Sequence, residues 1–364
     1  MIRRRAISTA LEAASHGRRA RVARCIRTAS TAASSDGGPS SSAAGAGRTG
    51  TTNPAPGPPK PNSPFTIFDR AAKQAQRSRA ASRGEASRVT DYVRDEAAAN
   101  LVERLYDVKR DFGTIVELGS GAGYIRKHLD AKRTGTSKII MCDMSQEALD
   151  RDLDQDEKYP DLTFERRIID EESLPFPENS IDCIVSSGTL HWTNDLPGAL
   201  VQICRSLKPD GIFIGAICGG DTLFELRTSL QLAEQEREGG ISPRISPMAD
   251  SRDMVSLLGR AGFNIPTVDT DEIEVVYPGM YELMADLRDM GESNAVINRR
   301  PFLKRDTLVA ASAIYPALHG NADGSVPATF SVIYMVGWKP DTSQRKPLER
   351  GTATKSMKEV LGGD

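Results

Sequence analysis

The sequence predicts an α/β protein whose mostly parallel sheet is covered by helices on both faces. Between residues 114 and 217, five short β-rich segments alternate with segments of helical periodicity. Such alternation is typical of a parallel sheet whose strands are joined by helices. Two further β-rich segments follow, separated by a stretch with at least two helical segments. We therefore expect a mixed seven-stranded sheet with an inserted helical cap.

The strands are predicted at 114–118, 138–142, 162–168, 181–186, 211–217, 272–277 and 328–338. The helical segments are predicted at 65–81, 90–108, 124–132, 146–150, 196–207, 222–238 and 251–261. In 196–207, Leu196, Leu200, Ile203 and Leu207 lie on one helical face, which identifies the side that packs on the sheet. The cap is the segment 278–326.

The two ends of the chain differ in composition from this domain, which we place at 65–340. Residues 1–27 contain eight arginines and one acid, Glu12, which is typical of a mitochondrial transit peptide; the alternative is a basic tail that binds an acidic surface. Residues 28–64 are mostly small or Pro and predict a disordered linker. Residues 341–364 form a C-terminal tail.

Composition argues against several classes of protein. A formal net charge of −2 argues against a nucleic-acid binder, and no apolar run is long enough to span a bilayer. The spacing of the five cysteines matches no zinc pattern, and we expect them to be small buried apolar residues. His128 and Asp130, with His191 or His319, formally match an iron triad. In the predicted helix 124–132, however, they do not face each other, so no metal site is expected.

A glycine-rich loop at 117–123 follows the first predicted strand and precedes a helix. A dinucleotide fingerprint starting at Gly119 would need its third glycine at position 124, but this chain has it one residue earlier. The observed spacing is the form used by S-adenosylmethionine-dependent methyltransferases, which predicts a Rossmann-like, class I methyltransferase fold. The candidate cofactor-binding residues in this loop are Glu117, Gly119, Gly121 and Gly123.

Three later strand ends supply further candidates. Asp143 could accept both ribose hydroxyls, although it could instead cap the next helix. Asp170 could contact the adenine amino group, although it could belong to a solvated acidic loop. Ser186 ends the fourth strand, beneath the expected reactive methyl. Nearby, His191 could act as a general base or pack with Trp192 against the sheet.

Residues 65 to about 355 resemble the mitochondrial complex I assembly factors of the methyltransferase family, described as arginine hydroxylases. The segments that carry this resemblance are 67–70, 117–123, 190–197, 207–211, 219–227, 236–240, 269–272, 290–294 and 323–329. Gly-Gly-Asp-Thr-Leu at 219–223 and Met-Gly-Glu-Ser-Asn at 290–294 are the most specific. One departure is Ser120, where the family often has Cys. A more distant resemblance is to the bacterial malonyl-[acyl-carrier protein] methyltransferase.

The resemblance implies S-adenosylmethionine as cofactor and a matrix protein peripheral to the inner membrane. It also implies that an arginine of a complex I iron–sulfur subunit is hydroxylated. A guanidinium prefers carboxylate partners, so Asp221, Glu225 and Glu292 are the substrate-contacting candidates, and we expect an acid-lined pocket under the cap. The competing alternatives for these residues are helix capping by Asp221 and solvated positions for the two glutamates.

Two other functions remain open at this point. One is conventional methyl transfer to a small carboxylate or a protein side chain, and the other is an assembly chaperone that binds S-adenosylmethionine without turnover. A basic stripe of Arg70, Lys73 and Arg77 is predicted on one helical face. It would either dock an acidic partner surface or simply be solvated.

Overall fold

The computed structural model describes residues 66–344 together with Gly351 and Ser356. The predicted transit peptide, the predicted linker and most of the predicted tail lie outside the described residues. None of the helices within 66–344 combines the length and apolarity that crossing a membrane requires.

The described chain contains one seven-stranded sheet with the order β3-β2-β1-β4-β5-β7-β6. Strands β1 to β5 are parallel, and β7 runs antiparallel to both β5 and β6. The predicted mixed seven-stranded sheet is therefore confirmed. The strands are β1 (Thr114–Leu118), β2 (Lys138–Asp143), β3 (Thr163–Ile168), β4 (Ile181–Ser187), β5 (Leu207–Cys218), β6 (Asn264–Tyr277) and β7 (Val326–Trp338).

Helices precede the sheet, connect its strands and form the segment between β6 and β7. They are α1 (Arg70–Ala81), α2 (Glu85–Arg88), α3 (Tyr92–Tyr106), α4 (Ala131–Thr134), α5 (Gln146–Asp150), α6 (Leu196–Ser206), α7 (Phe224–Glu238), α8 (Ser251–Ala261), α9 (Met280–Asp289) and α10 (Arg305–His319). The last two lie in the segment that was expected to form a helical cap.

Two of the differences between the predicted and the observed elements have local reasons. The continuous helix expected over 124–132 is instead a 3-10 turn, Ile125–Lys127, followed by α4. Asp130 is the N-cap of α4, because its side chain accepts from the backbone N–H groups of Lys132 and Arg133. Strand β6 begins eight residues before the predicted start, because as an edge strand it needs no continuous apolar pattern.

Alternate residues along each central strand face opposite layers of helices. Ile115 belongs to a buried cluster with Leu101 and Leu105 of α3. Its neighbour Val116 belongs to a second cluster with Leu200 of α6, Leu258 of α8 and other side chains. Side chains alternate between the two faces of a strand. Because helices cover both faces of this sheet, the sequences of the central strands are continuously apolar.

The cysteines contribute to these layers. Cys142, Cys183 and Cys204 are buried, Cys218 is partly buried, and all four are free thiols. Burial raises the pKa of the Cys218 thiol to about 12, so it remains protonated at neutral pH. The expected role as small buried hydrophobes agrees with these positions; Cys25 lies outside the described residues.

Helix α1 lies between the sheet and the loop that follows α9. Phe68 packs edge-on against Trp192 with ring centroids 5.3 Å apart, and the Asp69 N–H donates to the Ala295 carbonyl at 2.7 Å. As a result, Lys73 is completely buried and Arg77 is 7% exposed. The prediction that the basic stripe of α1 faces solvent or a partner is therefore wrong, because this face of the helix points into the molecule.

Candidate active site

The glycine-rich loop leaves the carboxyl end of β1 as a tight backbone turn. Gly119, Gly121 and Gly123 all have positive φ angles, of 66°, 53° and 83°. A Cβ atom on Gly119 would lie 2.2 Å from the Thr189 side chain, so any larger residue would displace the loop after β4. The loop therefore presents backbone rather than side chains to the cleft above the sheet.

Glu117 is buried beneath this loop. Its side chain is 1% exposed, and its Oε2 atom has no hydrogen-bond partner. Burial raises the pKa of the Glu117 carboxyl from 4.5 to about 8. A buried acceptor without a partner is costly, and a cationic ligand group placed beside it would remove that cost.

Asp143 ends β2 and is also 1% exposed. Its two carboxylate oxygens accept from the N–H of Gly121 at 3.0 Å and from the N–H of Ser145 at 2.9 Å. The cap of α5 is not Asp143 but Ser145, whose hydroxyl accepts from the Ala148 N–H. Arg77 Nη1 lies 3.6 Å from Asp143 Oδ2, so a cation from α1 already stands beside this carboxylate.

The acidic segment after β3 is bound by α1. Arg70 donates to Asp170 at 2.8 Å and also to Glu171. The Asp170 side chain is 48% exposed, whereas that of Glu171 is 1% exposed. Glu171 is thus the buried acid of this segment, and the sequence analysis missed it. Three consecutive acids provide no periodic signal that distinguishes the inward-facing member.

Ser186 lies at the end of β4, and its hydroxyl donates to the Leu118 carbonyl of β1 at 3.0 Å. The next two residues, Ser187 and Gly188, line the cleft above the glycine-rich loop. They also line a larger cavity of about 420 Å³ that extends under the cap. Cleft and cavity therefore share a wall at the carboxyl end of β4.

The larger cavity is mostly apolar. Its apolar walls come from α3, α7, the cap and β7, and include Ala97, Leu226, Leu230, Met284, Leu287 and Phe330. Its size and lining are typical of a small-molecule or side-chain binding pocket.

The charged groups of the cavity differ from the expectation of an acid-lined pocket. Among the described residues that line it, four are arginines, Arg94, Arg244, Arg299 and Arg300, and Glu292 is the only carboxylate. Neither Asp221 nor Glu225 lies in the wall. Asp221 is exposed. Glu225 is buried and accepts from the Thr329 hydroxyl at 2.5 Å, which joins α7 to β7.

Glu292 is the centre of a polar cluster at the cavity wall. It accepts from Trp192 Nε1 at 2.7 Å, from Lys73 Nζ at 3.4 Å and from Arg94. Lys73 Nζ also lies 3.4 Å from the centre of the Trp192 ring. Burial opposes ionisation of Glu292, but the neighbouring cations outweigh it and lower its pKa. The carboxylate is therefore charged, and it joins α1, α3 and the cap loop.

His191 lies beside this cluster and lines the cavity. Its ring is 5.4 Å from the Trp192 ring, and its Nδ1 atom has no hydrogen-bond partner. Burial lowers the pKa of His191 from 6.5 to about 3, so the imidazole is neutral at physiological pH. His191 was predicted either to act as a general base or to pack with Trp192. The geometry is compatible with both roles, since the ring packs on Trp192 and also lines the cavity.

The potential metal ligands of the described residues lie apart from one another. Within residues 66–344, no group of three or more His, Cys, Asp or Glu side chains is arranged to hold a metal ion. His128 ends the 3-10 turn and Asp130 caps α4. Both residues therefore have a role in local secondary structure.

Comparison with known proteins places the chain in a family. A family model described as a methyltransferase domain matches residues 116–215. The mouse protein "Arginine-hydroxylase NDUFAF5, mitochondrial" is 52% identical over 81% of this chain and 83% of its own length. The human protein of the same name is 51% identical over the same shares. This chain belongs to the NDUFAF5 arginine-hydroxylase family.

This chain is also similar to bacterial methyltransferases. A malonyl-[acyl-carrier protein] O-methyltransferase from Methylovorus is 32% identical over 77% of this chain and 93% of its own length. The matched methyltransferase domain contains the glycine-rich loop, Asp143, Asp170 and Ser186, whereas the cap lies beyond it. The protein is therefore an enzyme of the S-adenosylmethionine-dependent methyltransferase superfamily, and its NDUFAF5 relatives are named mitochondrial.

Proposed function

We propose that this protein binds S-adenosylmethionine in the cleft and modifies an arginine side chain by hydroxylation. One bond to hydrogen becomes a bond to hydroxyl, and the inserted oxygen atom comes from an external oxidant, such as dioxygen together with a two-electron donor. The observation that carries the proposal is the wall shared by the cleft and the cavity at Ser187 and Gly188. A cofactor on the glycine-rich loop would meet a substrate group in the cavity at this wall. The choice of arginine follows the names of the NDUFAF5 relatives.

Glu117, buried beneath the glycine-rich loop, and Asp143, in the wall of the cleft, suit the cofactor. The unpartnered Glu117 oxygen suits the ammonium of its methionine end, and Asp143 suits the ribose hydroxyls. When bound, S-adenosylmethionine supplies a sulfonium centre. The cleft is narrow, about 30 Å³, and Arg77 lies in its wall. Binding a nucleoside therefore requires Arg77 to move away from Asp143.

An arginine substrate needs a carboxylate, because a guanidinium stays charged and prefers paired oxygen acceptors. Glu292 is the cavity carboxylate, and its pKa is held low by Lys73 and Arg94 despite burial. A substrate guanidinium would take the place of Arg94 on Glu292. We therefore assign Glu292 the substrate contact, ahead of Asp221 and Glu225.

We propose that the protein acts in the mitochondrial matrix, at the face of the inner membrane, during complex I assembly. A transit function for residues 1–27 is testable by fusing residues 1–64 to a fluorescent protein. Import into mitochondria is expected. A matched fusion should remain outside when five arginines are replaced by glutamine, namely Arg18, Arg19, Arg21, Arg24 and Arg27. Import of that fusion would contradict the transit function.

The modification is tested by mass spectrometry of the complex I iron–sulfur subunit from cells with and without this protein. We expect one arginine to lack a single oxygen atom in the deficient cells. Loss of a methyl group instead would indicate conventional methyl transfer. Deficient cells should regain the modification with wild-type protein and with Asp150→Asn, but not with Asp143→Asn. Complex I assembly restored by Asp143→Asn without any modification would support a chaperone.

A further inference from the structure

We propose that the ion pair between Arg94 and Glu292 couples the cleft to the cavity, so that S-adenosylmethionine and the arginine substrate bind with positive cooperativity. The inference rests on the proposed function, because it needs a cofactor in the cleft and a guanidinium on Glu292. It adds Arg94 as a positioning residue that responds to both ligands.

Arg94 of α3 lies in the wall of both spaces. Its Nη1 atom donates to the Tyr124 hydroxyl at 3.4 Å, and Tyr124 lines the cleft. Its Nη2 atom donates to Glu292, which lines the cavity. A single guanidinium therefore contacts the wall of the cleft and the carboxylate of the cavity.

Among the described residues, three arginines line the cleft, namely Arg77, Arg94 and Arg151. Arg77 and Arg151 each pair with two carboxylates. Arg94 pairs with one, Glu292, and shares it with the buried Lys73. Of the three guanidinium groups, that of Arg94 would therefore gain most from a further carboxylate in the cleft.

The methionine end of S-adenosylmethionine carries such a carboxylate beside its ammonium group. When Arg94 pairs with it, Nη2 no longer has to donate to Glu292. Glu292 then still accepts from Trp192 Nε1 at 2.7 Å and from Lys73 Nζ at 3.4 Å, but it has lost its guanidinium partner. A substrate guanidinium would fill that position, because it prefers a charged oxygen acceptor.

The two ligands thus break the same ion pair. Without cofactor, a substrate guanidinium has to displace Arg94 from Glu292 and leave it without a carboxylate. That is unfavourable, because the Arg94 side chain is only 22% exposed. With cofactor bound, Arg94 has a new partner and this cost does not arise. Each ligand should therefore strengthen the binding of the other.

The test is isothermal titration calorimetry of octylguanidinium into the purified full chain. This probe combines the guanidinium of arginine with an alkyl chain that suits the apolar part of the cavity. We expect saturating S-adenosylmethionine to tighten its binding by about fivefold or more, as is usual for coupled sites. Methylthioadenosine, which keeps the nucleoside and the sulfur but has no carboxylate, is the matched control. It should leave the octylguanidinium affinity unchanged.

Arg94→Met distinguishes coupling from damage to the fold, because the expected result is a gain of affinity. In this variant no arginine has to leave Glu292. Octylguanidinium should therefore bind about fivefold or more tightly than it binds the wild type without cofactor. S-adenosylmethionine should then leave that affinity unchanged. Arg260→Met, at an exposed position on α8, is the control and should keep the wild-type coupling.

Several outcomes would overturn the coupling and leave arginine hydroxylation standing. They are equal octylguanidinium affinities with and without S-adenosylmethionine, the same tightening by methylthioadenosine, and weaker binding to Arg94→Met than to the wild type. A probe that binds neither the wild type nor Arg94→Met would contradict Glu292 as the substrate contact and overturn the coupling with it. Hydroxylation itself is tested separately, by the mass of the arginine in the complex I subunit.

Discussion

Glu117 and Asp143 are both almost fully buried carboxylates at the carboxyl ends of neighbouring strands, yet their surroundings differ. Asp143 accepts two backbone N–H groups and has Arg77 nearby. Glu117 retains an unpartnered oxygen, and burial raises its pKa to about 8. Asp143 is therefore pre-oriented as an acceptor, whereas Glu117 would ionise when a cation binds beside it.

Asp143→Asn should weaken S-adenosylmethionine binding by about tenfold or more, because a charged acceptor for two hydroxyls becomes a neutral amide. Calorimetric titration measures this, with circular dichroism to verify the fold. Asp150→Asn, at an exposed position on α5, should bind like the wild type. Wild-type affinity in Asp143→Asn would remove this residue from the cofactor site.

Glu117 should make stability depend on pH. Between pH 4.5 and about 8, the folded state keeps a proton on Glu117 that the unfolded state has lost. The free energy of unfolding should therefore fall with rising pH, by about 1.4 kcal/mol per pH unit from this group. Glu117→Gln removes the titration. Urea denaturation at several pH values should show a shallower decline for the variant, and parallel profiles would contradict the shifted pKa.

At the scale of elements, α1 combines a charged sequence with a buried position. Lys73 donates to the carbonyls of Gly291 and Ser293 at 3.1 and 3.0 Å, in addition to its contact with Glu292. Its pKa is lowered to about 7, mainly by burial. The cations of α1 thus connect the helix to the cap loop and to the acids at the strand ends.

Lys73→Met should destabilise the protein by about 2 kcal/mol, because two buried carbonyls and Glu292 each lose a donor. Guanidinium denaturation measures the free energy of unfolding. Lys109→Met, at an exposed position after α3, is the control and should change it by less than about 0.5 kcal/mol. An equally small effect of Lys73→Met would show that the buried contacts of Lys73 contribute nothing measurable to the free energy of unfolding.

At the scale of the whole molecule, the sheet, its two helical layers and the cap all lie within residues 66–344. Helix α1 is the first element of this part, and it covers the cleft with Arg77 and one side of the cavity cluster with Lys73. Helix α1 therefore covers both the cleft and one side of the cavity.

Residues 1–64 precede α1, so the protein without them is the reference for a test of this helix. Removal of residues 1–81 should lower the melting temperature by several degrees, because α1 and its contacts with Glu171, Trp192 and Glu292 are lost. Differential scanning calorimetry compares the two truncations. Identical melting temperatures would mean that α1 contributes nothing to the fold.

The sequence by itself determined the succession of strands and helices along the chain, the glycine-rich loop, and the position of Asp143 at a strand end. These features depend on local physics: alternation of apolar residues, the backbone freedom of glycine and the length of each segment. The folded positions of Gly119 and Asp143 agree with those expectations.

Only the tertiary structure decided which charges are buried. Glu171 rather than Asp170 faces inward, Lys73 and Arg77 point into the molecule, and Arg244 joins the cavity wall. Neighbouring residues of the same charge have the same local propensities. For Arg70 and Lys73, the inward orientation depends on partners far away along the chain, namely Glu171 at 101 residues and Glu292 at 219 residues.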